Sequence, residues 1–353
     1  MKTLILPFLF LLTFVFSCKT DDSEILEKNV ASVDLYIAGA ENNQACYWKN
    51  GQKVILQNGT GLYATQIIVQ NNNVYVYGAM TSEYNSGLTS KHLYFWKNGV
   101  KYNLDEYLQD VPDPSPDNNF GISSKMIVEN GNTYFCGYFV NFNPLPNQGI
   151  YSYYFWKNGI KTLIAGNNEI TFPGSYNLIN NEIYLGIRKN YQSNPITWDT
   201  GFYKNNTYFP LATDSHILNF YKDANNDIYA YYRNLFTNQK YLKNIQTNSF
   251  VAIPSNPPGE IVDVIFDGND KYYIGDNFYY KNNVLVMFND PNGFNRIRGF
   301  MVKDNQIYTI RYKDGASIGV LAKVFINNTE VMSQPITMVF DPNVGGLLSI
   351  FVD

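Results

Sequence analysis

The sequence has few of the residues on which catalysis, metal binding and nucleic-acid binding commonly depend. Charged residues make up only 16% of its 353 residues, against about 25% in an average soluble domain. The 26 basic and 30 acidic residues nearly balance. No basic stripe is present that could displace counterions from a nucleic acid. We therefore expect no nucleic-acid partner.

Histidine and cysteine are scarce. The two histidines, His92 and His216, lack the spacing to other ligands that a metal site needs. We interpret both as surface or strand-end residues, with a general base as the alternative. Cys46 and Cys136 fall in predicted strands of separate repeats. We therefore expect two buried thiols and no disulfide.

Signatures of common enzyme classes are also missing. No serine hydrolase, phosphate-loop or dinucleotide-binding motif occurs, so no cofactor and no catalytic residue are predicted. The segment "DANND", Asp223 to Asp227, begins like a calcium loop, but Ile228 stands where that loop needs glycine. We interpret it as a hairpin turn and predict no metal site. Paired carboxylates for sugar hydrolysis stay open, because pairing between distant loops is invisible in a sequence.

The N-terminus has the pattern of a lipoprotein signal. Lys2 precedes an apolar stretch of thirteen residues, Leu4 to Phe16, whereas a membrane-spanning helix takes about 20. The "VFSC" at its end resembles a bacterial lipobox, which implies a signal peptide over residues 1–17 and acylation of the Cys18 thiol by palmitate-type chains. Because each buried CH₂ contributes about 0.8 kcal/mol, such an anchor would be durable. The alternative is a simple secretory signal with an incidental cysteine.

The residues after Cys18 bear on location. "KTDDSE", Lys19 to Glu24, resembles the export signal of surface lipoproteins in Bacteroidetes-type bacteria. The alternative is an ordinary flexible tether over residues 18–30. We expect a Gram-negative outer-membrane protein, held on the membrane by its lipid and exposed on the cell surface, with the periplasmic orientation left open.

One pattern recurs along residues 31–353. Its first half is an alternating strand with a central tyrosine, as in "NVYVYG", and the seven tyrosines are Tyr36, Tyr75, Tyr134, Tyr184, Tyr229, Tyr272 and Tyr308. Its second half is "YWKNG" or a relative, which begins at Tyr47, Phe95, Phe155, Phe202, Tyr241, Tyr279 and Val324. The two halves alternate strictly, so the chain consists of one repeated unit.

The repeat predicts a β-propeller. Trp48 to Phe325 spans 277 residues in six steps, about 46 per unit, which suits a blade of four strands. Each unit contains two hairpins, and Asn98-Gly99 suits a type I′ turn because both of its residues need positive φ. We predict one all-β propeller domain with seven blades, and eight or six as the alternatives.

A propeller requires that each blade be covered on both faces and that the ring be closed. Successive side chains on a strand point to opposite faces, so Phe95 and Trp96 are both buried only if neighbouring blades cover both faces. The first unit lacks an upstream strand. We predict that "ITMVFD", Ile336 to Asp341, completes the blade begun by "DLYIAG" at Asp34. "LLSIFV" at Leu347 stays unassigned, either as an extension of that sheet or as part of an eighth unit.

Four segments depart most from the repeat and are predicted to be loops, where recognition commonly lies: residues 81–92, 110–119, 141–152 and 190–200. The last contains Trp198, for which we consider stacking on a sugar or packing over a blade edge.

The chain resembles a mostly uncharacterised family of Bacteroidetes-type surface lipoproteins with "YWKNG" propeller repeats. The motif predicts the fold but not the activity, because its residues occupy turn and packing positions. We expect a non-catalytic binding module for a glycan, a peptide or an outer-membrane protein. The alternatives are a polysaccharide-active hydrolase or lyase, and a structural subunit of an outer-membrane complex.

Overall fold

The computed structural model describes residues 33–80, 92–111, 118–123, 125–143, 150–167, 172–313, 322–334 and 345–353. These residues form seven separate antiparallel sheets and one short helix, α1 (Leu104–Tyr107). The prediction of an all-β propeller with seven blades is confirmed. Cys18 and the signal and tether over residues 1–30 lie outside the described residues.

Each blade runs from an inner strand at the centre of the ring to an outer strand. Blade 1 contains β29 (Gly345–Val352), β1 (Leu35–Glu41), β2 (Gln44–Lys49) and β3 (Gln52–Thr60). Blade 2 contains β4 (Leu62–Gln70), β5 (Asn73–Met80), β6 (Leu93–Lys97) and β7 (Val100–Asn103). Blade 3 contains β8 (Asn118–Ile122) and β9 (Ile127–Glu129), which share the inner position, then β10 (Asn132–Asn141), β11 (Tyr151–Lys157) and β12 (Ile160–Asn167). Blade 4 contains β13 (Phe172–Ile179), β14 (Glu182–Ser193), β15 (Ile196–Lys204) and β16 (Thr207–Thr213).

The remaining blades follow the same order. Blade 5 contains β17 (Ser215–Lys222), β18 (Ile228–Asn234), β19 (Lys240–Asn244) and β20 (Phe250–Val251). Blade 6 contains β21 (Asp263–Asp267), β22 (Asp270–Ile274), β23 (Phe278–Lys281) and β24 (Val284–Met287). Blade 7 contains β25 (Arg296–Lys303), β26 (Gln306–Tyr312), β27 (Ala322–Ile326) and β28 (Thr329–Gln334). The inner strands contact one another from blade to blade, as β13 contacts β17 and β29 contacts both β4 and β25.

The ring is closed by a different C-terminal segment from the one predicted. β29 pairs with β1 in antiparallel register, with Ile350 opposite Ile37 and Ser349 opposite Ala38. The other edge of β1 is occupied by β2, so the assignment of residues 336–341 to this place is wrong. Those residues lie outside the described part of the chain. Closure by the chain's two ends is confirmed, with the "LLSIFV" run as the closing strand.

Asparagine recurs at the turn after the third strand of a blade because its side chain accepts a hydrogen bond from the backbone of the second strand. In blade 2, Asn98 Oδ1 accepts a hydrogen bond from the backbone N–H of Val74 at 2.9 Å. The equivalent pairs in five other blades are Asn50 with Leu35, Asn158 with Thr133, Asn205 with Ile183, Asn282 with Lys271 and Asn327 with Ile307. In blade 5, Gln246 Oε1 does the same for Ile228 at 2.8 Å. The predicted hairpin geometry is confirmed by positive φ at Asn98 and Gly99.

The remaining repeat positions are packing positions. Phe95 and Trp96 are both buried, at 2% and 0% exposed, which confirms that each blade is covered on both faces. The lysine of the motif lies over the repeat tyrosine, for example Lys97 Nζ at 5.4 Å from the ring centroid of Tyr75. Gly78, within β5, must be glycine because a Cβ there would lie 2.2 Å from the Tyr63 carbonyl oxygen of the inner strand β4.

Candidate functional site

The two ends of the ring differ in character. The turns after the first strands of blades 2 to 7 and after the third strands of all blades are short and mostly asparagine-based, such as Asn71-Asn72 and Asn98-Gly99. The connections after the second and fourth strands include the longer segments 104–117, 142–150, 252–262 and 288–295. Because strands alternate in direction, the two sets lie at opposite ends of the blades. We call these ends the Asn-turn face and the loop face.

Of the four segments predicted to be loops, only residues 190–200 are described throughout, and they differ from the prediction. Residues 190–200 form an extended hairpin rather than a loop, since β14 runs to Ser193 and β15 starts at Ile196, with Gln192 opposite Thr197. Residues 81–91, 112–117 and 144–149, within the other three, lie outside the described residues.

Inner strands carry irregularities where they line the centre. The pairing register shifts between Ala64 and Gln66 in β4, between Ile217 and Asn219 in β17, and between Ile297 and Gly299 in β25. Each shift leaves one extra residue, and bulges of this kind re-aim side chains and are frequent beside functional sites. In β25 the extra residue is Arg298, which is exposed.

Two sets of hydrogen bonds near the centre join neighbouring blades, one between blades 3 and 4 and one between blades 5 and 6. Lys125 Nζ donates to the Tyr176 carbonyl at 3.3 Å, and the Tyr176 hydroxyl donates to the Lys125 carbonyl. The Tyr221 hydroxyl donates to the Asp263 carboxylate. Burial lowers the pKa of Lys125 to about 8, opposed by Asp263, and burial raises the pKa of the Asp263 carboxyl. These groups are already hydrogen-bonded to one another's blades, so they do not present a free reactive group.

A cavity of about 650 Å³ lies between blades 6 and 7 at the loop face. Its charged lining residues are Glu260, Asp263, Asp276, Arg296 and Arg298. Arg296 forms an ion pair with Asp276, and Lys240 Nζ lies 2.5 Å from Glu260 Oε1. The hydrogen bond from Lys240 lowers the pKa of Glu260. Each carboxylate of this cavity is therefore already engaged by a donor of the protein.

A second group of charges lies where blades 4 and 5 meet. His216 is directly opposite Arg233 in the β17–β18 pairing. Burial, and then the positive charges of Arg188 and Arg233, lower the pKa of His216 to about 4. The His216 Nδ1 atom is buried and has no hydrogen-bond partner among the described residues. His216 is thus neutral at pH 7 and lies near two guanidinium groups.

The other residues singled out from the sequence have structural surroundings. Trp198 is 9% exposed and packs against Tyr191 at 4.5 Å between ring centroids, which matches the packing interpretation. Asp223 Oδ1 accepts the backbone N–H groups of Asn225 and Asp227, both at 2.9 Å, as in the predicted turn. His92 is partly buried just before β6.

The two thiols are buried as predicted. Cys46 on β2 and Cys136 on β10 are free cysteines on different blades. Burial raises the pKa of each thiol to about 12. Cys136 lines a small cavity of about 200 Å³ between blades 3 and 4. A thiol that stays protonated is a weak nucleophile, so this cavity does not have the chemistry of a cysteine enzyme.

The described part of the chain contains neither a ready metal site nor a spanning helix. In it, no group of three or more histidine, cysteine, aspartate or glutamate side chains is placed to hold a metal ion. Within the same ranges, no helix has the length and apolar character needed to cross a membrane.

Sequence reasoning missed the arginines. The chain has only five, Arg188, Arg233, Arg296, Arg298 and Arg311. All lie on the inner two strands of blades 4, 5 and 7. Four are near the loop face, whereas Arg311 is 2% exposed and its guanidinium donates to the Asn327 carbonyl at an asparagine turn. The sequence shows that arginine is rare relative to lysine, but only the folded ring brings four of the five arginines to one face.

No family model and no curated protein matches the chain. Among solved structures, puromycin hydrolase is similar with a TM-score of 0.51 and 8% identity over 87% of this chain. The chain spans 53% of that structure. AztD from Citrobacter koseri gives a TM-score of 0.46 and 10% identity over 91% of this chain and 98% of AztD. At these identities the comparisons concern the fold alone.

Proposed function

We propose that this protein is a lipid-anchored recognition module on the outer membrane of a Gram-negative bacterium, and that its loop face binds a glycan, a peptide or an outer-membrane protein. The observation that carries the proposal is the concentration on one face of the longer connections, the 650 Å³ cavity and four of the five arginines. Loops on a rigid scaffold are where recognition commonly resides. Acylated Cys18 would hold the ring at the membrane, and the segment after it would direct the protein to the cell surface.

The carboxylates of the cavity favour binding over hydrolysis. A glycosidase needs one protonated and one ionised carboxyl beside the sugar. In this cavity Asp276 is paired with Arg296, Glu260 with Lys240, and Asp263 with the Tyr221 hydroxyl and the Val264 N–H. The resemblance to puromycin hydrolase gives no support to catalysis, because it extends to the fold alone.

An array experiment separates the three candidate functions. The mature lipidated chain, held in detergent, is applied to a printed array of glycans and peptides, and bound sugars are analysed for cleavage. Binding without cleavage supports the proposal. Cleavage products would favour the hydrolase or lyase. Failure to bind any array member, together with co-purification of an outer-membrane protein after crosslinking of cells, would favour a structural subunit.

The location is tested separately. Protease treatment of intact cells should remove the protein if it faces outward and spare it if it faces the periplasm. A Cys18→Ser variant should leave the membrane fraction if the thiol is the anchor.

A further inference from the structure

The cavity of about 650 Å³ between blades 6 and 7 contains a guanidinium group that the fold does not use. Arg298 lines this cavity and is exposed. It forms neither a hydrogen bond nor an ion pair with another residue in the described ranges. Arg298 is the extra residue at the register shift between Ile297 and Gly299, and a bulge of this kind re-aims a side chain. A guanidinium group offers donors that match a carboxylate in two parallel hydrogen bonds.

The carboxylates of the same cavity are already engaged. Asp276 forms an ion pair with Arg296, and Glu260 is bound by Lys240. The carboxylate of Asp263 accepts hydrogen bonds from a tyrosine hydroxyl and from a backbone N–H. Among the described lining residues, the charge that stays available to a ligand is therefore positive. A ligand of this cavity should carry a negative group.

Backbone hydrogen bonds fix the walls of the cavity. The Ile297 N–H donates to the Asp276 carbonyl at 2.6 Å and so joins blade 7 to blade 6. The Val262 N–H donates to the Ile274 carbonyl at 2.7 Å and so holds the connection from blade 5 against the second strand of blade 6. A site whose shape exists before the ligand arrives loses less conformational entropy on binding.

The apolar part of the lining is mostly aliphatic. The aliphatic lining residues are Pro258, Val262, Ile274 and Ile297. Val262 is 54% exposed, so it offers apolar surface that a ligand can cover. Phe300, which also lines the cavity, packs against Tyr279 at 5.5 Å between ring centroids. A sugar ring packs best on a free aromatic plane, whereas an aliphatic side chain fits a wall of this kind. The lining therefore favours an aliphatic group.

A second cavity, of about 580 Å³, adjoins the first. Gly259 and Glu260 line both cavities. The second cavity is lined by Asn238 and Gln239 of blade 5 and by prolines of the connection between blades 5 and 6. Side-chain amides both donate and accept hydrogen bonds, as the peptide groups of an extended chain require. The two cavities together suit an extended peptide that ends at Arg298.

We propose that the two adjoining cavities bind the C-terminal end of a peptide. Its terminal carboxylate lies on Arg298, its last side chain packs against the aliphatic wall, and its preceding residues occupy the second cavity. This inference rests on the proposed recognition function and narrows the ligand to a peptide with a free carboxyl terminus and an aliphatic last residue. An acidic sugar is the competing ligand that the test must exclude.

The probe is a panel of acetylated tripeptides, acetyl-Ala-Ala-X, with one member for each amino acid X and a twin of each that has an amidated C-terminus. Calorimetry with the mature lipidated chain in detergent should show binding of the acids in which X is leucine, isoleucine or valine. Their amides should bind at least about tenfold more weakly, because the charge-assisted hydrogen bonds are lost. Acids in which X is aspartate or lysine should also bind more weakly.

Variants of one exposed residue test the role of the guanidinium group. Arg298→Gln should weaken binding of the acids by about tenfold or more and leave binding of the amides unchanged. Arg298→Lys should recover part of the loss, since it restores the charge without the planar donors. Lys303→Gln, at the Asn-turn end of the same strand, is the matched control and should bind as the wild type does. Thermal unfolding curves show whether each variant is folded.

The outcomes distinguish this inference from the function on which it rests. Equal affinity for acid and amide, no binding of any tripeptide, unchanged binding by Arg298→Gln, or binding of glucuronate as tight as that of the tripeptide acids would overturn it. If the array yields a glycan, or a peptide that binds equally well with a blocked C-terminus, the recognition function stands and this inference fails. If Arg298→Gln does not fold, the comparison of acid with amide on the wild-type chain decides the matter.

Discussion

Asn98 Oδ1 accepts a hydrogen bond from the backbone N–H of Val74 at 2.9 Å, and the Asn98 N–H donates to the Val74 carbonyl at 2.8 Å. One residue at a turn thus satisfies both backbone groups at the start of the neighbouring strand. The side-chain hydrogen bond recurs in six blades with asparagine. It explains why the repeat has asparagine at this position, where glycine would serve the backbone angle equally well.

Two substitutions at Asn98 separate its roles. Asn98→Gly keeps the positive φ but loses the side-chain hydrogen bond, and should lower the free energy of unfolding by about 1 kcal/mol. Asn98→Ala loses the same hydrogen bond and leaves at a positive φ a residue that tolerates the left-handed region less well than glycine or asparagine, so it should cost about 1 kcal/mol more than Asn98→Gly. Urea denaturation measures both. Two variants as stable as the wild type would show that the turn is not fastened in this way.

Ring closure is tested by a disulfide between the two ends of the chain. Ala38 and Ser349 are directly opposite in the pairing of β1 with β29, and paired Cα atoms in antiparallel strands lie about 4.5–5.5 Å apart. Ala38→Cys with Ser349→Cys should form a disulfide in air and raise the melting temperature, since so long a loop contributes up to about 4–5 kcal/mol. Each single variant serves as a control. Failure of the pair to oxidise in the folded protein would contradict this closure.

The repeat made most of the fold predictable. The tyrosine spacing gives the blade length, and the Asn-Gly tips give the hairpins. The closing strand could not be chosen in advance, because residues 336–341 and 347–352 are both apolar runs of the right length and only the free edge of β1 decides between them. The polar residues between Asn190 and Thr200 predict a loop. In the structure the second and third strands of blade 4 extend through this segment as a hairpin.

The stability of the protein should depend on pH through His216. Its pKa is lowered to about 4 from 6.5 by burial and by Arg188 and Arg233, so the unfolded chain takes up the proton first. Stability should therefore fall as the pH drops from about 6.5 toward 4, and this contribution should level off below 4. Because the side chain is partly exposed, we expect a loss of about 1–2 kcal/mol.

Two variants test whether the protonation of His216 causes this loss of stability. His216→Gln should remove this component from chemical denaturation curves recorded between pH 7 and 4. Arg233→Gln should reduce it, since one repulsive charge is gone. An unchanged pH profile in both variants would mean that His216 is not held neutral by its neighbours.

The two thiols should be unreactive until the protein unfolds. Burial raises the pKa of Cys46 and Cys136 to about 12, and both side chains are nearly inaccessible. A disulfide reagent at pH 7.5 should therefore detect no thiol in the folded mature chain and two after denaturation. Rapid reaction of the folded protein would show that one of these blades opens readily.

The candidate site was much less predictable than the fold. His216 and Trp198 were noted for their residue types, but Arg188, Arg233 and Arg298 were overlooked. Their positions are ordinary strand ends in the sequence. Only the ring brings the ends of different blades together at one face, so the proximity of Arg188 to His216 has no signature at the level of spacing.

The central claim is that recognition belongs to the loop face, and a labelling experiment tests it most directly. Arg298→Cys and Lys222→Cys each introduce one exposed thiol, on the loop face and the Asn-turn face respectively. The two cysteines within the described residues, Cys46 and Cys136, are buried. Each variant is coupled to a large polyethylene-glycol maleimide and applied to the glycan and peptide array. We predict that the label at position 298 abolishes binding while the label at position 222 leaves it intact. The reverse pattern would place the binding surface at the asparagine turns and contradict the account.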